Sequence, residues 1–463
     1  MGGMMEWVRA FFSDAGTTGE GGFRAPRRIF WVGFGLRVLF MTLAHGYHVR
    51  PILDHFQFGW EVGRIARAVA LGRGYADPFL GRSGPTAWIA PLYPLILAGV
   101  FKMFGVYTAA SAWVILTVNS AFSAGTALAV YEIAARCFDA GGAGNPCGND
   151  ARRPTALWSA WLWALYPAAM QYAVHWIWDM SLTTFLLAWA IVLALRVRGA
   201  GECGEGAASS ATHQTVGRWE VFGLLWGLIG LSNPSLFLFL PACVAWMLWG
   251  LRGDRAALVR AGAKAVLAAV IAAACLAPWV GRNERTLHAF VPARSNFGVE
   301  FWQSTLAVNE GLPWGTAMPL AETHPEFVRY KAIGEVAYAR EKQAEALRNV
   351  RAHPGRILNW TVRRIYFFWA SVPKPFEGKP AAEIVRELDF GFLSLAGLLG
   401  LALAIRRRVP GSWLFASAFL LIPSIYYVVT VQARFRHPLE PLIAVLGVYL
   451  FRSADRGARR DVS

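Results

Sequence analysis

Cysteine is scarce in this chain, and its spacing argues against two kinds of site. The 463 residues include five cysteines: Cys137, Cys147, Cys203, Cys243 and Cys275. Their spacing matches neither a zinc site nor a redox motif, and an odd number does not suit a closed set of disulfides. None of them follows Gly281, so nothing suggests a disulfide framework in the long polar loop after that residue.

Acidic residues are also few. The sequence has 29 Asp and Glu against 45 Lys and Arg, which gives a formal charge of +16 at pH 7. Such a balance can indicate nucleic-acid binding. Here, however, most basic residues stand in short loops between apolar runs, which is the distribution that the positive-inside rule describes. The sequence therefore predicts no nucleic-acid partner and favours a membrane protein.

Several sequence signatures are missing as well. The chain contains no Gly-rich phosphate loop, no Walker sequence and no nucleophile elbow, and the Gly-rich segments 139–150 and 199–217 are low-complexity linkers. It also shows no internal repeat of fixed period. Inverted repeats would favour a transporter, so their absence weakens that alternative.

Long apolar runs are what the chain does have. It is 56% hydrophobic with a mean hydropathy of +0.38. Because only helices and closed barrels satisfy the backbone in lipid, these runs predict an all-α polytopic membrane protein with about 10 (10–12) transmembrane helices. The candidate spans are 29–48, 108–135, 155–172, 177–197, 219–233, 235–250, 264–281, 389–405, 412–430 and 438–452.

The basic clusters orient these spans. With the clusters beside both linkers and the tail placed inside, both termini are cytoplasmic and the two largest loops face outward. The apolar stretch 88–105 cannot then be a full crossing, because every later basic loop before residue 282 would lie outside. The stretch 357–372, which contains Arg363 and Arg364, is expected to stay near the outer interface. In the alternative, both stretches cross and three basic loops lie outside.

The chain divides accordingly into five parts. The first 28 residues are too polar for a signal peptide, so Ile29 to His48 is expected to be an uncleaved first span. In the outer cap, the pattern predicts a helix from Pro325 to Arg351 that His353-Pro354-Gly355 ends. The parts are a cytoplasmic tail (1–28), a catalytic transmembrane core (29–281) with outer loop 49–107, an outer loop or cap (282–388), C-terminal transmembrane helices (389–452) and a cytoplasmic tail (453–463).

The first outer loop mixes charges with aromatic rings. Residues 51–94 include the carboxylates Asp54 and Glu61, with several arginines and aromatic side chains among them. A carboxylate can take a hydroxyl proton, and an aromatic ring can stack on the C–H face of a sugar. The loop therefore suits a sugar site; the alternative is an interfacial helix with an aromatic belt.

Other polar groups stand at the outer ends of spans. A charge near the bilayer is costly unless paired, so these groups are functional candidates. Asp179 could instead be a structural partner of Arg37 or of a similar buried cation, and Arg434 and Arg436 could be interfacial anchors rather than phosphate ligands. The groups are Gln171, His175 and Asp179; Ser232, Asn233 and Ser235; Arg282, Asn283, Glu284 and Arg285; and Gln432, Arg434, Arg436, His437 and Glu440.

Several segments carry a resemblance to a known family. They are FGWEVGRIARAVALGRGYADPF with GPTAWIAPLYP, then APWVGRNERTLHAFVPARSNFGVEFW, HPGRILNWTVRRIYFFW and ARFRHPLEPLIAVLGVYL. The chain resembles membrane glycosyltransferases of the GT-C superfamily, in particular the family 39-like enzymes, relatives of protein O-mannosyltransferases and of the lipid A aminoarabinose transferase. The resemblance extends from Ile29 to Phe451 and is specific for the superfamily rather than for a substrate.

The resemblance implies a function. The enzyme would sit in the bacterial cytoplasmic membrane and transfer a sugar, by inverting displacement on the outer face, from a polyprenyl-phosphate donor to a lipid, glycan or protein acceptor. An acidic residue of the first outer loop is the expected base. Glu61 and Asp54 lie seven residues apart instead of forming the usual Asp-Glu pair, so both stay candidates; on a continuous helix they would share a face. The alternatives are a transporter or flippase of a lipid-linked sugar, and an O-antigen ligase or polymerase that uses a diphosphate-linked donor.

The resemblance also assigns site residues. Asp179 matches a second outer-facing acidic position, and Arg282, Arg434 and Arg436 match places where basic groups meet the carrier phosphate. The side chains of Trp60, Arg64, Tyr93, His175 and His437 are expected to bind substrate. We expect no cofactor and no metal ligand. The residues His175, His288 and His437 could gather a metal, but their spacing predicts none, and satisfied or solvated histidines are expected instead; the sequence leaves open whether a divalent metal takes part.

Overall fold

The structure is a computed structural model that describes residues 24–52, 54–139, 153–200, 216–312, 319, 321–372 and 380–460. These residues contain no β-strand, only two isolated bridges. Most of both linkers and the chain ends lie outside the described residues. The helices are α1 Arg24–Leu43, α2 Glu61–Ala70, α3 Leu92–Phe104, α4 Ala109–Ala134, α5 Pro154–Leu165, α6 Pro167–Val174, α7 Met180–Val197, α8 Val216–Gly230, α9 Leu240–Trp249, α10 Arg255–Leu287, α11 Phe297–Gln303, α12 Pro325–Ile333, α13 Glu335–Ala352, α14 Pro354–Ala370, α15 Pro380–Arg406, α16 Ser412–Val428 and α17 Glu440–Arg460.

Four of the described helical segments are long and apolar enough to cross a membrane. They are Ala109–Asp139, Met180–Val197, Arg255–Leu287 and Glu383–Arg406. The all-helical, membrane-spanning class predicted from the sequence is therefore supported, whereas the count of about ten spans stays a prediction. The stretch 88–105 forms only α3, whose 13 residues are about 20 Å long, short of the roughly 30 Å hydrocarbon core.

Two helices predicted as continuous are broken. The span predicted over 155–172 is interrupted at Tyr166, whose extended backbone (φ −65°, ψ 119°) is what a following proline imposes. The outer helix predicted from Pro325 to Arg351 is interrupted at Gly334, which has a φ of +82°. Both predictions were wrong here because apolar periodicity continues across a break that one residue causes.

Small residues let the long helices approach closely. α8 packs along α10, and a Cβ on Gly223 would lie 2.4 Å from the Ala268 carbonyl oxygen. α15 packs along α17, and a Cβ on Gly400 would lie 2.2 Å from the Leu446 carbonyl oxygen. Such small-residue contacts are typical of helices packed in a membrane, where apolar burial drives association less than van der Waals contact does.

The segment predicted as an outer cap, which contains α12 and α13, is fastened to the loop predicted as the first outer loop. Glu335 is 5% exposed, and its carboxylate accepts hydrogen bonds from the hydroxyls of Thr86, Ser295 (2.6 Å) and Tyr330 (2.6 Å) and from the Ala87 amide (2.7 Å). An apolar cluster surrounds this contact: Phe79, Trp88, Val299, Trp302, Phe327, Tyr330 and Tyr338. The cap thus holds the segment that includes residue 295 against residues 86 and 87.

The first outer loop also meets the segment before α7. Gly59 has a φ of +85°, and a Cβ on it would lie 2.4 Å from the Ile177 carbonyl oxygen. The Trp178 indole nitrogen donates to the Gly59 carbonyl (2.8 Å). Glycine is therefore required here for both its backbone angle and its small size, and the contact brings Glu61 toward Asp179.

Gly59→Ala should destabilise the protein for two reasons: the left-handed backbone at residue 59 disfavours alanine, and the added Cβ would clash with the Ile177 carbonyl oxygen. Gly72 is a matched control because its φ is +75° and nothing lies within 4 Å of an added Cβ. Gly72→Ala should cost about 1–2 kcal/mol from the left-handed backbone alone. Gly59→Ala should show a larger loss of thermal stability in detergent, plus a loss of activity. If the two substitutions change thermal stability and activity equally, the loop can move away from the Ile177 carbonyl without cost.

Candidate active site

A cavity of about 420 Å³ lies where the ends of several helices meet. It is bordered by the start of α2, the start of α7, the turn after α8, the loop before α11, the end of α16 and the 3₁₀ helix Ala433–Leu439. Five charged side chains line it: Glu61, Asp179, Arg294, Glu300 and Arg434. The structure thus brings together carboxylates and arginines that are far apart in the sequence.

Trp178 connects three parts of this site. Its nitrogen holds Gly59, two residues before Glu61, and its ring supports Arg434, whose Cζ lies 3.8 Å from the ring centroid. The Trp176 ring stacks on the Trp178 ring, with centroids 5.3 Å apart and planes 5° apart. A guanidinium held by an aromatic face keeps its N–H donors available, because the stacking uses none of them.

Arg434 makes no hydrogen bond to any other described residue, although it lines the cavity. Burial lowers the pKa of its guanidinium, while the carboxylates of Glu61, Asp179 and Glu300 act in the opposite direction. The side chain stays charged, because an arginine in a protein is effectively never deprotonated. It therefore presents unused donors to an anionic ligand.

The three carboxylates of the cavity differ in the number of hydrogen bonds that they accept from other residues. Glu300 accepts hydrogen bonds from Thr430 (3.0 Å) and Asn296 (3.3 Å). Asp179 accepts a hydrogen bond from Thr183 (3.4 Å). Among the parts of the chain that the structure describes, no other residue donates a hydrogen bond to the Glu61 carboxylate. Glu61 therefore has the greatest capacity left to accept a proton from a ligand.

The electrostatic surroundings of Glu61 also suit it to accept a proton. Burial raises the pKa of its carboxyl group above the ordinary value, although Arg64 and Arg434 act in the opposite direction. A raised pKa brings a carboxylate closer to the range in which it exchanges protons efficiently near neutral pH.

Asp54 does not reach the cavity. Its carboxylate is bound by Arg67 (2.7 Å) and lies 3.4 Å from the Arg64 Nε. The prediction that Asp54 and Glu61 share a helical face is wrong, because α2 begins at Glu61 and Asp54 itself has a φ of +54°. Arg64 is fully buried and lies over Trp60, with its Cζ 5.7 Å from the ring centroid. Neither Arg64 nor Trp60 lines the cavity, so the geometry contradicts their predicted contact with substrate there.

Two of the three predicted phosphate ligands have structural partners instead. Arg282 donates to the carbonyls of Thr86 (2.6 Å) and Tyr75 (2.6 Å). Arg436 is fully buried and donates to two carbonyls, to Ser394 (2.6 Å) and to Glu440 (3.3 Å). Neither lines the cavity, whereas Arg434, the third predicted phosphate ligand, does.

Arg436→Lys should therefore act on stability. One ammonium cannot reproduce the divergent contacts of the guanidinium, so we expect a loss of about 2–4 kcal/mol. The melting temperature in detergent should fall, while the KM of the folded fraction for a lipid-linked donor should stay unchanged. An altered KM at normal stability would restore Arg436 to the substrate site.

The remaining predicted substrate ligands also lie away from the cavity. The Tyr93 hydroxyl is buried and pairs with Asn119 (2.9 Å). His437 is fully buried, 2.5 Å from Glu440, and packs against Trp163. His175 is exposed at the end of α6. The predicted substrate contacts of these three residues are not formed at this cavity.

Arg37, the cation named as an alternative partner for Asp179, does not pair with it. Arg37 donates instead to the carbonyls of Gly33 (2.9 Å) and Ala164 (2.7 Å). Asp179 and Arg434 line one cavity together with Ser232, Asn233 and Ser235.

Sequence reasoning missed several cavity residues. Arg294 and Glu300 both stand in ARSNFGVEFW, part of a segment that carried the family resemblance, but neither was singled out. Trp178 was missed because its two contacts are with residues 119 and 256 positions away. Within the described ranges, no three His, Cys, Asp or Glu side chains are grouped so that they could hold a metal ion.

Comparisons with known proteins complete this description. No protein-family model matches the chain, and no curated protein matches it. It is similar to solved structures of the archaeal oligosaccharyltransferase AglB from Archaeoglobus fulgidus. With the complex containing an inhibitory peptide and a dolichol-phosphate, the TM-score is 0.47 and the identity 15%, over 85% of this chain and 46% of that one. With the apo form, the TM-score is 0.49 and the identity 14%, over 94% and 52%.

The chain thus spans about half the length of these structures. Because these TM-scores are below 0.5, no function is argued from the likeness, and the function is argued from the geometry of the cavity.

Proposed function

We propose that the chain is a membrane glycosyltransferase that moves a sugar from a polyprenyl-phosphate donor to a hydroxyl acceptor in the cavity between Glu61 and Arg434. The observation that carries this proposal is Arg434, held by an aromatic face with its hydrogen-bond donors unused and facing carboxylates. A phosphate leaving group needs a fixed cation, and an attacking hydroxyl needs a base. One cavity supplies both.

In this mechanism the acceptor oxygen attacks the anomeric carbon of the donor sugar. The bond between that carbon and the acceptor oxygen forms as the bond to the phosphate oxygen breaks, and the phosphate leaves with the electron pair. The Glu61 carboxylate takes the acceptor proton. Arg434, together with Arg294 of the same cavity, stabilises the charge that grows on the phosphate. A single displacement of this kind inverts the anomeric configuration.

Arg294 is the second cation that supports the proposal. Its Nε donates to the Trp88 carbonyl (3.1 Å), and the residue lines the cavity. Its neighbour Ser295 is bound by Glu335 of the cap. Such an anchored arginine is preorganised, so little reorganisation is needed when charge develops on the leaving phosphate.

The apolar part of the cavity wall suits a lipid-linked donor. Its members come from the 3₁₀ turn after α8, from the loop into α11 and from the end of α16: Leu238, Phe297, Ile425 and Val429. Leu238 and Phe297 are 44% and 43% exposed, so the wall continues to the outside of the protein. A polyprenyl chain could lie there while its phosphate reaches Arg434.

The direct test is transfer by purified protein. Polyprenyl-phosphate glucose, mannose and galactose are supplied with membrane lipid extract as acceptor, with and without chelator, and radiolabel transfer is measured. Release of polyprenyl phosphate together with a labelled product supports the proposal. Activity only with diphosphate-linked donors would favour a ligase or polymerase, and sugar movement across proteoliposomes without transfer would favour a transporter.

The proposed outer location of the cavity gives a separate prediction. Val308 is 85% exposed in the cap segment, and Ala256 is exposed at the opposite, basic end of α10. In a Cys-less variant, Val308→Cys should react with an impermeant thiol reagent in intact cells, and Ala256→Cys should react only after lysis. If Ala256→Cys is labelled in intact cells, the orientation of the protein in the membrane is the reverse of the proposed one.

A further inference from the structure

A set of uncharged polar groups also lines the cavity, and the transfer mechanism does not use them. Asn233 and Ser235 stand in the turn after α8, and Tyr426 stands near the end of α16. The Tyr426 hydroxyl lies 2.7 Å from the Ser235 Oγ, and the Asn233 amide nitrogen lies 3.4 Å from the Tyr426 oxygen. Side chains from two distant parts of the chain thus form one polar cluster.

The hydrogen bonds within this cluster determine what it can still offer. The Asn233 Oδ1 accepts from both the Ser235 amide (3.3 Å) and the Ser235 hydroxyl (2.6 Å), which fixes the orientation of the Asn233 amide. Since the Ser235 proton is used, the Tyr426 hydroxyl must donate to the Ser235 oxygen. One Asn233 amide hydrogen and one lone pair of the Ser235 oxygen stay available.

The free hydrogen-bond donor and acceptor of the cluster match a hydroxyl group of a ligand. A hydroxyl both donates and accepts, so it can bind the amide hydrogen of Asn233 and the oxygen of Ser235 together. A carboxylate would satisfy only the donor, and no cation belongs to the cluster. The cavity cations Arg294 and Arg434 belong instead to the phosphate end of the proposed site.

The cluster is also held rigidly beside that end. The Tyr426 ring stacks on Phe435, with centroids 4.4 Å apart and planes 15° apart. Phe435 directly follows Arg434 in the chain, so the cluster lies next to the proposed phosphate ligand. A sugar attached to that phosphate would lie against it.

We propose that Asn233, Ser235 and Tyr426 form the subsite that binds a ring hydroxyl of the transferred sugar, so that the donor sugar is neutral and hydroxylated at that position. This proposal rests on the proposed glycosyl transfer and adds to it the class of sugar and the residues that select it.

The test compares each neutral hexose donor with its monodeoxy analogues. Binding of polyprenyl-phosphate glucose, mannose and galactose is measured first, and the tightest of them is then compared with analogues that lack one hydroxyl. In the wild-type protein, one deoxy analogue should bind roughly 10–10²-fold more weakly, because its absent hydroxyl leaves the Asn233 amide hydrogen and the Ser235 oxygen unpaired. Ser235→Ala removes the acceptor, and Tyr426→Phe removes the hydroxyl that orients the Ser235 oxygen and the Asn233 amide. Both should reduce that discrimination to within a few-fold.

The neighbouring tyrosine provides a matched control. The Tyr427 hydroxyl accepts a hydrogen bond from Trp369 (3.0 Å), and Tyr427 does not line the cavity. Tyr427→Phe should therefore keep the wild-type discrimination. Ser424→Ala serves in the same way for serine, because the Ser424 hydroxyl donates to the Leu421 carbonyl (2.7 Å) within α16.

The binding measurement separates the two proposals. Undiminished discrimination in both Ser235→Ala and Tyr426→Phe would overturn the subsite even if transfer occurs, and so would tight binding of a uronic-acid donor with no binding of any hexose donor. Discriminating binding without transfer would overturn the transfer reaction and support the subsite. If no polyprenyl-phosphate sugar binds at all, both proposals fail.

Discussion

Glu61→Gln should lower the turnover of sugar transfer by roughly 10²–10⁴-fold, the range expected when a general base is lost. Glutamine keeps the shape of the side chain but cannot take a proton from the acceptor. Since no other described residue donates a hydrogen bond to the Glu61 carboxylate, the substitution breaks no such contact. Steady-state kinetics should show the loss in kcat, with the affinity for the polyprenyl-phosphate donor nearly unchanged.

The pH profile provides a second measurement of the same role. The base must be deprotonated, and burial raises the pKa of Glu61. Activity should therefore fall as the pH drops through this raised pKa, and the acid limb should lie above the ordinary range of a carboxyl group. Glu61→Gln should remove that limb from the residual activity.

Two other carboxylates serve as comparisons. Asp179→Asn should also impair turnover, since Asp179 lines the cavity, but should keep the acid limb that Glu61 sets. Asp54→Asn should weaken the contacts with Arg64 and Arg67 and lower stability. Normal turnover in Glu61→Gln combined with a strong kinetic loss in Asp179→Asn would assign the base to Asp179.

Arg434→Lys should lower kcat/KM for the polyprenyl-phosphate donor by roughly 10²–10³-fold, the loss expected for one group that stabilises developing charge. Lysine keeps the positive charge but cannot grip a phosphate with two parallel donors. It also loses the flat contact with Trp178. Affinity and turnover should decline together, because the charge on the phosphate grows as it leaves.

The structural arginines provide the controls. Arg436→Lys and Arg282→Lys change the same chemical group at positions bound to carbonyl oxygens outside the cavity. Both should lower the melting temperature with little effect on the kinetics of folded protein. If Arg434→Lys gives that pattern and Arg282→Lys gives the kinetic loss, the phosphate site lies near α10 instead.

The sequence predicted those parts of the site that depend on local chemistry. Glu61 was selected because it stands among arginines and aromatic rings in the first outer loop. Asp179 was selected because a carboxylate beside an apolar run is unusual, and Arg434 because it begins a basic pair before the last helix. The same reasoning selected Arg436, which is equally basic and two residues away. Only the packing distinguishes them, since Arg436 enters the protein between α14 and α15 whereas Arg434 lies on Trp178.

The fold was predictable to a similar degree. Apolar runs identified the long helices α4, α7, α10 and α15, but they did not reveal the breaks at Tyr166 and Gly334. Each break depends on the backbone of one residue, whereas hydrophobic periodicity averages over many. The tie between Glu335 and the first outer loop was also beyond sequence reasoning, because its partners Thr86 and Ala87 are about half the chain away.

That separation affects the order in which parts of the protein fold during synthesis. Thr86 leaves the ribosome 249 residues before Glu335. At about 5–20 residues per second, roughly 12–50 s of synthesis pass between them. During that interval the first outer loop lacks the carboxylate that later holds it, and Ser295 and Tyr330 have not yet joined it. A nascent chain stalled before the cap should therefore be open to protease at this loop, although its early helices are already in the membrane.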